Sequence, residues 1–174
     1  MRYFLSAIMP VCNEGDMYMC VHPDDPPFQV LGLPRIVTCD DDIKWFLNAV
    51  NDKHNGLTFC AGSLSAGAQN NLPELARKYA NRTWFVHLRS CYVFPNGDFT
   101  EASHLGGRAN LIELCRIFEQ EEQQRRDNPH VARLPMRVDH GMTMLGDEDK
   151  GYNAGYSFLG RMFAMGQLQG IIAT

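Results

Sequence analysis

Four short apolar runs, each ending on a side chain able to ligate a metal ion, constrain this chain more than any other feature. Met17–Val21 runs into His22, and Leu57–Phe59 into Cys60. Within Thr83–Leu88 the apolar stretch reaches His87, and Leu134–Val138 reaches Asp139. The first run stops abruptly because Pro23, Pro26 and Pro27 follow it. Proline cannot continue a sheet interior and holds the residue before it extended. Each run reads as a buried strand that delivers a donor to its C-terminal edge. An unpaired buried carboxylate such as Asp139 is costly and calls for a cation or hydrogen-bond donors. Two imidazoles, a thiolate and a carboxylate make a mixed, borderline donor set, and ligand rules alone admit Zn, Fe or Mn.

Between the runs lie helical patterns. Residues 2–12 place Tyr3, Phe4, Ala7, Ile8 and Val11 at helical spacing, which predicts an amphipathic helix packed through that face rather than a targeting segment. Asp40-Asp41-Asp42 head a second helix carrying Ile43, Phe46, Leu47 and Val50, with Asn55-Gly56 as a left-handed cap. Further helices are expected over Leu72–Tyr79, Leu111–Arg126 and from about Tyr156 to Gln167. The second of these packs through Leu111, Leu114, Cys115 and Phe118, with a solvated charged end at Glu119–Arg126. The connections are a long, proline-rich loop from His22 to Pro34, a small-residue loop from Ala61 to Asn71, and a loop from Cys91 to Arg108 with a hairpin turn at Asn96-Gly97.

Strand, loop and helix repeated four times indicate parallel βαβ units, and continuously apolar strands indicate a sheet buried on both faces. No Gly-x-Gly-x-x-Gly follows the first strand, which disfavours a dinucleotide fold. Donors at the C-terminal ends of successive strands suit a (β/α)8, or TIM, barrel. Such a barrel has eight strands and about 250 residues. Four strands in 174 residues predict a single domain over 1–174, the C-terminal half of that barrel with flanking helices. A half barrel leaves two sheet edges and an apolar interior to be covered. The expectation is therefore a homo-oligomer or a missing N-terminal half barrel.

Composition excludes several partners. A net charge of -4 with scattered basic residues gives no nucleic-acid surface. No apolar run approaches the roughly 18 residues of a bilayer span. The six cysteines include no Cys-x-x-Cys pair, which indicates free thiols and a reducing, cytoplasmic setting, with Cys12, Cys20 and Cys115 as buried apolar residues.

The segments His22-Pro23-Asp24-Asp25-Pro26-Pro27, Gly32-Leu33-Pro34-Arg35-Ile36, Cys60-Ala61-Gly62-Ser63, Val86-His87-Leu88-Arg89 and Asp139-His140-Gly141 together resemble the mannonate dehydratase family of the UxuA type, in its C-terminal half. The resemblance implies a xylose-isomerase-like TIM barrel and metal-dependent dehydration of D-mannonate to 2-dehydro-3-deoxy-D-gluconate in hexuronate (glucuronate) breakdown. It places His22, Cys60, His87 and Asp139 on the family's metal positions and implies Mn2+ or Fe2+. It matches His140 to the histidine beside the last ligand and Tyr156 to the catalytic tyrosine. Ala154 and Val138 stand where the family tends to have proline, and Gly107-Arg108-Ala109-Asn110 is less acidic than the family's stretch.

His140 and Tyr156 are taken as the acid–base pair, with His140 favoured as the acid and the reverse order left open. A regular strand would point Asp139 and His140 to opposite faces, so both serve one site only if the strand has ended by His140. Arg89 is the candidate for a substrate carboxylate or hydroxyl, against a surface ion-pair role. His104 is expected to line the pocket, against a solvated loop position. His54 and His130 read as surface histidines, and Asp24 and Asp25 as turn caps. Two other functions compete: a different metal-dependent sugar isomerase or epimerase, and an inactive remnant or assembly subunit.

Overall fold

The computed structural model describes residues 1–128 and 130–174. The described elements run α1 (Arg2–Glu14), β1 (Met19–Val21), α2 (Asp40–Ala49), β2 (Asn55–Cys60), α3 (Ala61–Ala66), α4 (Leu72–Tyr79), β3 (Thr83–His87), β4 (Cys91–Val93), β5 (Phe99–Glu101), α5 (Leu111–Arg126), β6 (Met136–Arg137) and α6 (Phe158–Ile172). Strands β1, β2, β3 and β6 form one sheet in that order, and every pairing is parallel. That is the expected α/β architecture, with each strand lying beside the next in the series and helices crossing between them. The β4–β5 pair is an antiparallel hairpin in the β3–α5 connection, turned at Gly97 (φ 90°).

The core sits between the sheet and its helices. All six residues of β2 are buried, and Phe59 meets Phe118 of α5 edge to face with ring centroids 5.1 Å apart. Ile43, Phe46 and Leu47 close the core from α2, and Leu111, Leu114, Cys115 and Phe118 from α5, as their spacing predicted.

Several local expectations change. Helix α1 packs through Leu5, Met9 and Cys12, whereas Tyr3, Phe4 and Val11 are exposed. Two apolar stripes ran along that helix, and only the neighbouring elements select between them. Asn55-Gly56 does not end α2 in a left-handed turn; both residues open β2. Asn55 still caps α2 from the next strand, its Nδ2 donating to the carbonyls of Phe46 (3.1 Å) and Val50 (2.9 Å). Gly56 is needed for close approach, because a Cβ there would lie 2.0 Å from the Trp84 ring. The small-residue loop contains α3, and α6 starts later and extends further than its pattern suggested.

The charged end of α5 is not simply solvated. Glu122 and Arg125 are buried, and Arg125 donates to the carbonyls of Ala80 (2.8 Å) and Thr83 (2.9 Å) while stacking on Trp84. His54, expected at the surface, is 2% exposed, with Nδ1 3.1 Å from Asp52 and Nε2 2.9 Å from Asp16. Its polar neighbours are other loop ends, which only the fold brings together. His130 is exposed. Cys12 and Cys115 are buried, Cys20 only partly, and all six thiols are free.

Candidate metal centre

The parallel register builds the site. Cys60 and His87 are the last residues of β2 and β3 and are paired directly across the two strands. His22 follows β1 immediately, where the proline-rich segment ends the strand. Asp139 lies two residues past β6 and has φ 63°, a left-handed conformation. This turn answers the question of facing. The fourth strand is only Met136–Arg137, and the left-handed residue re-aims the chain so that Asp139 and His140 reach neighbouring parts of one site.

Ligand atoms of His22, Cys60 and His87 all lie within 4.8 Å of one another. His22 Nε2 is 3.3 Å from His87 Nδ1. Asp139 Oδ2 is 3.6 Å from His87 Nδ1 and 4.0 Å from Cys60 Sγ. Burial pushes the Cys60 thiol up, but hydrogen bonds from His22, His87 and Ser63 and the charge of His22 bring it down to about 5. Burial works the other way on His22, whose pKa is nevertheless raised, chiefly by its hydrogen bond to Cys60 and the thiolate charge. Cys60 is thus held as the thiolate, the form that binds metals.

These residues fit a divalent cation. Two imidazole nitrogens 3.3 Å apart converge with a thiolate, and the Asp139 carboxylate stands beside this trio. Metal–nitrogen and metal–sulfur bonds of about 2.0–2.3 Å require donors gathered at that scale. The buried His87 Nε2 has no hydrogen-bond partner among the described residues, so the protein alone leaves this ring incompletely satisfied.

A layer of supporting groups surrounds the cluster. Arg89, two residues past β3, is 3% exposed. Its guanidinium pairs with Asp25 and Glu101, and its Nε lies 3.2 Å from Asp139 Oδ2. Burial disfavours its charge, but the negative charges of Cys60, Asp25 and Glu101 raise its pKa further. Arg89 is not the surface ion-pair residue of one reading; its two terminal nitrogens are engaged with Asp25 and Glu101, whereas Nε, though near Asp139, makes no hydrogen bond among the described residues. Asp24 caps the following loop, accepting from the amides of Ile36 and Val37, both at 2.7 Å. Asp25 instead contacts Arg89.

His104 is buried rather than solvated, and its Nε2–H donates to the Val138 carbonyl at 3.0 Å. It also lines a small cavity of about 110 Å³ with Met142, Met144 and Phe163. His140 and Tyr156 meet edge to face with centroids 5.0 Å apart. The Gly141 amide donates to Gly155 O at 2.9 Å, which draws the Tyr156 turn onto His140. Gly155 has φ 79°, and a Cβ there would stand 3.1 Å from the His140 ring. Glu101 was missed in the sequence; its Oε1 lies 2.6 Å from His140 Nδ1. Its only sequence signal was its place after the hairpin turn.

Parallel βα units with a cluster able to hold a cation at the C-terminal strand ends define a segment of a βα barrel. The sequence comparison narrows this class. The family model for D-mannonate dehydratase (UxuA) matches residues 1–174, and the chain belongs to that family. It is 41% identical over 172 residues to a mannonate dehydratase of Marinomonas sp. (strain MWYL1), covering 98% of this chain and 44% of the relative. It is 40% identical over 171 residues to mannonate dehydratase 2 of Agrobacterium fabrum, covering 98% and 43%. The crystal structure of mannonate dehydratase from Streptococcus suis serotype 2 superposes with a TM-score of 0.86 at 29% identity, over 98% of this chain and 47% of that one. The chain therefore spans less than half the length of these relatives.

Proposed function

We propose that residues 1–174 form one domain, the C-terminal half of a (β/α)8 barrel, and supply the metal-ligating half of a mannonate dehydratase. The reaction is the loss of water from D-mannonate to give 2-dehydro-3-deoxy-D-gluconate in hexuronate breakdown. One observation carries this reading: His22, Cys60 and His87, from three successive strand ends, converge within 4.8 Å in a chain that matches the UxuA family throughout. His22, Cys60, His87 and Asp139 would hold Mn2+ or Fe2+. Bound there, the ion supplies stabilisation of negative charge developing beside the substrate carboxylate.

The chain's own residues do the proton work. The C2–H bond breaks, its proton passes to a base, and its electron pair is held by the adjacent carboxylate as an enediolate. The pair then returns to form the C2–C3 double bond as the C3–O bond breaks, and the hydroxyl leaves as water after receiving a proton from an acid. The resulting enol becomes the C2 ketone by protonation at C3. His140 serves as the acid through Nε2, since Nδ1 is turned to Glu101. The Tyr156 oxygen serves as the base, and the Arg161 guanidinium lies over the Tyr156 ring, 5.5 Å from its centroid. Arg89 fixes Asp139, Asp25 and Glu101 relative to one another and is reassigned from substrate binding to that role. His104 holds the Val138 backbone in the approach to Asp139.

Strands β1 and β6 each have one neighbour in the described sheet. This supports completion of the barrel by an N-terminal half or a second copy. Six free thiols agree with a reducing cytoplasmic setting, and among the described residues no helix is long and apolar enough to cross a membrane.

The test is an assay of D-mannonate with Mn2+ or Fe2+, using this chain alone and together with the N-terminal half of a relative. Metal-dependent formation of the keto-deoxy acid, lost in His140→Asn and in Tyr156→Phe, is the expected result. Wild-type turnover in both variants overturns the residue assignment. Isomer or epimer formation favours the rival sugar enzymes, and a metal-free, inactive chain in both mixtures favours a remnant.

A further inference from the structure

We infer that Glu101 is a positioning residue for His140, and that the segment Glu101–His104 aligns the proton-transfer histidine with the metal ligands. The inference rests on the reading that His140 exchanges a proton with substrate.

Three contacts carry it. Glu101 Oε1 is 2.6 Å from His140 Nδ1. Arg89 Nη1 also approaches that nitrogen, at 3.1 Å. A guanidinium only donates and an ionised carboxylate only accepts, so of these two groups Glu101 alone can receive the Nδ1 proton. Nδ1–H is thereby directed to Glu101, and Nε2 on the opposite side of the ring is left to exchange the proton with substrate. Such carboxylate–imidazole pairing fixes the tautomer and ring orientation of a functional histidine.

The third contact comes from the same stretch of chain. Three residues on, His104 Nε2–H donates to the Val138 carbonyl at 3.0 Å. One short segment therefore grips the main chain before Asp139 and the side chain after it. The segment is itself anchored. Glu101 pairs with Cys91 across the hairpin, and its carboxylate is held by Arg89, which also meets Asp139. A hairpin inserted between β3 and α5 thus sets the orientation of His140 relative to the metal ligands. Partners of this kind typically cost about 10–100-fold in function when removed.

The experiment compares wild type, Glu101→Ala and Glu101→Gln in the full chain. It reads the His140 ring nitrogens by ¹⁵N NMR with diamagnetic Zn2+ bound, then turnover of D-mannonate with Mn2+, alone or with the N-terminal half of a relative. In the wild type the His140 proton is expected on Nδ1. Glu101→Ala should move it toward Nε2 and lower kcat about 10–100-fold with KM within about threefold and bound metal unchanged. Glu101→Gln, whose side-chain carbonyl still accepts, should recover part of both effects. An unchanged proton position in Glu101→Ala overturns the inference, as does a loss of bound metal in step with activity. If the wild type does not dehydrate D-mannonate, the dehydratase reading fails, while the ring-nitrogen signals still decide whether Glu101 directs His140.

Discussion

At the scale of single residues, the site depends on how few groups serve several partners. Arg89 is buried against Asp25, Glu101 and Asp139. Replacing it by methionine keeps most of its volume but leaves three carboxylates facing one another. Loss of one partner of a buried ion pair destabilises by about 3–5 kcal/mol. A loss of that size is expected in urea unfolding of Arg89→Met, and stability within about 1 kcal/mol of wild type would show that the cluster is well solvated instead. Cys60 carries a different kind of burden. Its thiolate stands at the centre of the donor set, so Cys60→Ala should reduce bound Mn2+ or Fe2+ at least tenfold by elemental analysis. Gly56 has a purely steric role under Trp84. Gly56→Ala should destabilise the fold by about 1–3 kcal/mol, the usual scale of overpacking, measured by denaturant midpoint.

At the scale of elements, α5 and the segment leading to β6 are joined by Glu122. Its carboxylate accepts from the Leu134 amide at 2.7 Å and pairs with Arg133 and Arg126. Burial raises its pKa, but the Leu134 amide and the Arg133 and Arg126 side chains outweigh this and hold it below the ordinary 4.5. A depressed folded-state pKa contributes stability that is present above 4.5 and lost as pH falls through the folded value. Glu122→Gln should therefore flatten the acid limb of the stability–pH curve and leave its slope above pH 6 unchanged. An acid limb identical to wild type would remove Glu122 from the account. The same element shows how a sequence pattern can mislead. Glu119–Arg126 carries only charged and amide side chains, yet the Leu134 amide holds Glu122 inward and the Thr83 carbonyl with the Trp84 ring holds Arg125 inward.

At the scale of the whole molecule, three strand ends that are distant along the chain bring His22, Cys60 and His87 together, with Asp139 beside them. A ligand that binds only the folded state stabilises it by about 2.7 kcal/mol at a hundredfold excess over Kd. Mn2+ should accordingly raise Tm by several degrees in the wild type and not in Cys60→Ala, as measured by calorimetry. A shift of equal size in both proteins would place the binding elsewhere. Completion of the sheet belongs to this scale too, because β1 and β6 offer edges that another strand can pair.

The strand–helix alternation and the placing of His22, Cys60 and His87 at successive strand ends were legible in the amino-acid order because each rests on local chemistry. Apolar runs form strands, prolines end them, and a donor at a strand end in a parallel sheet faces the loop side. The buried stripe of α1, the inward turn of Glu122 and Arg125, the burial of His54 and the placing of Arg89 beside three carboxylates could not be read that way. So too the Glu101–His140 contact, which joins residues 39 positions apart. Each of these depends on which distant segment arrives as neighbour, and packing rather than local preference settles that.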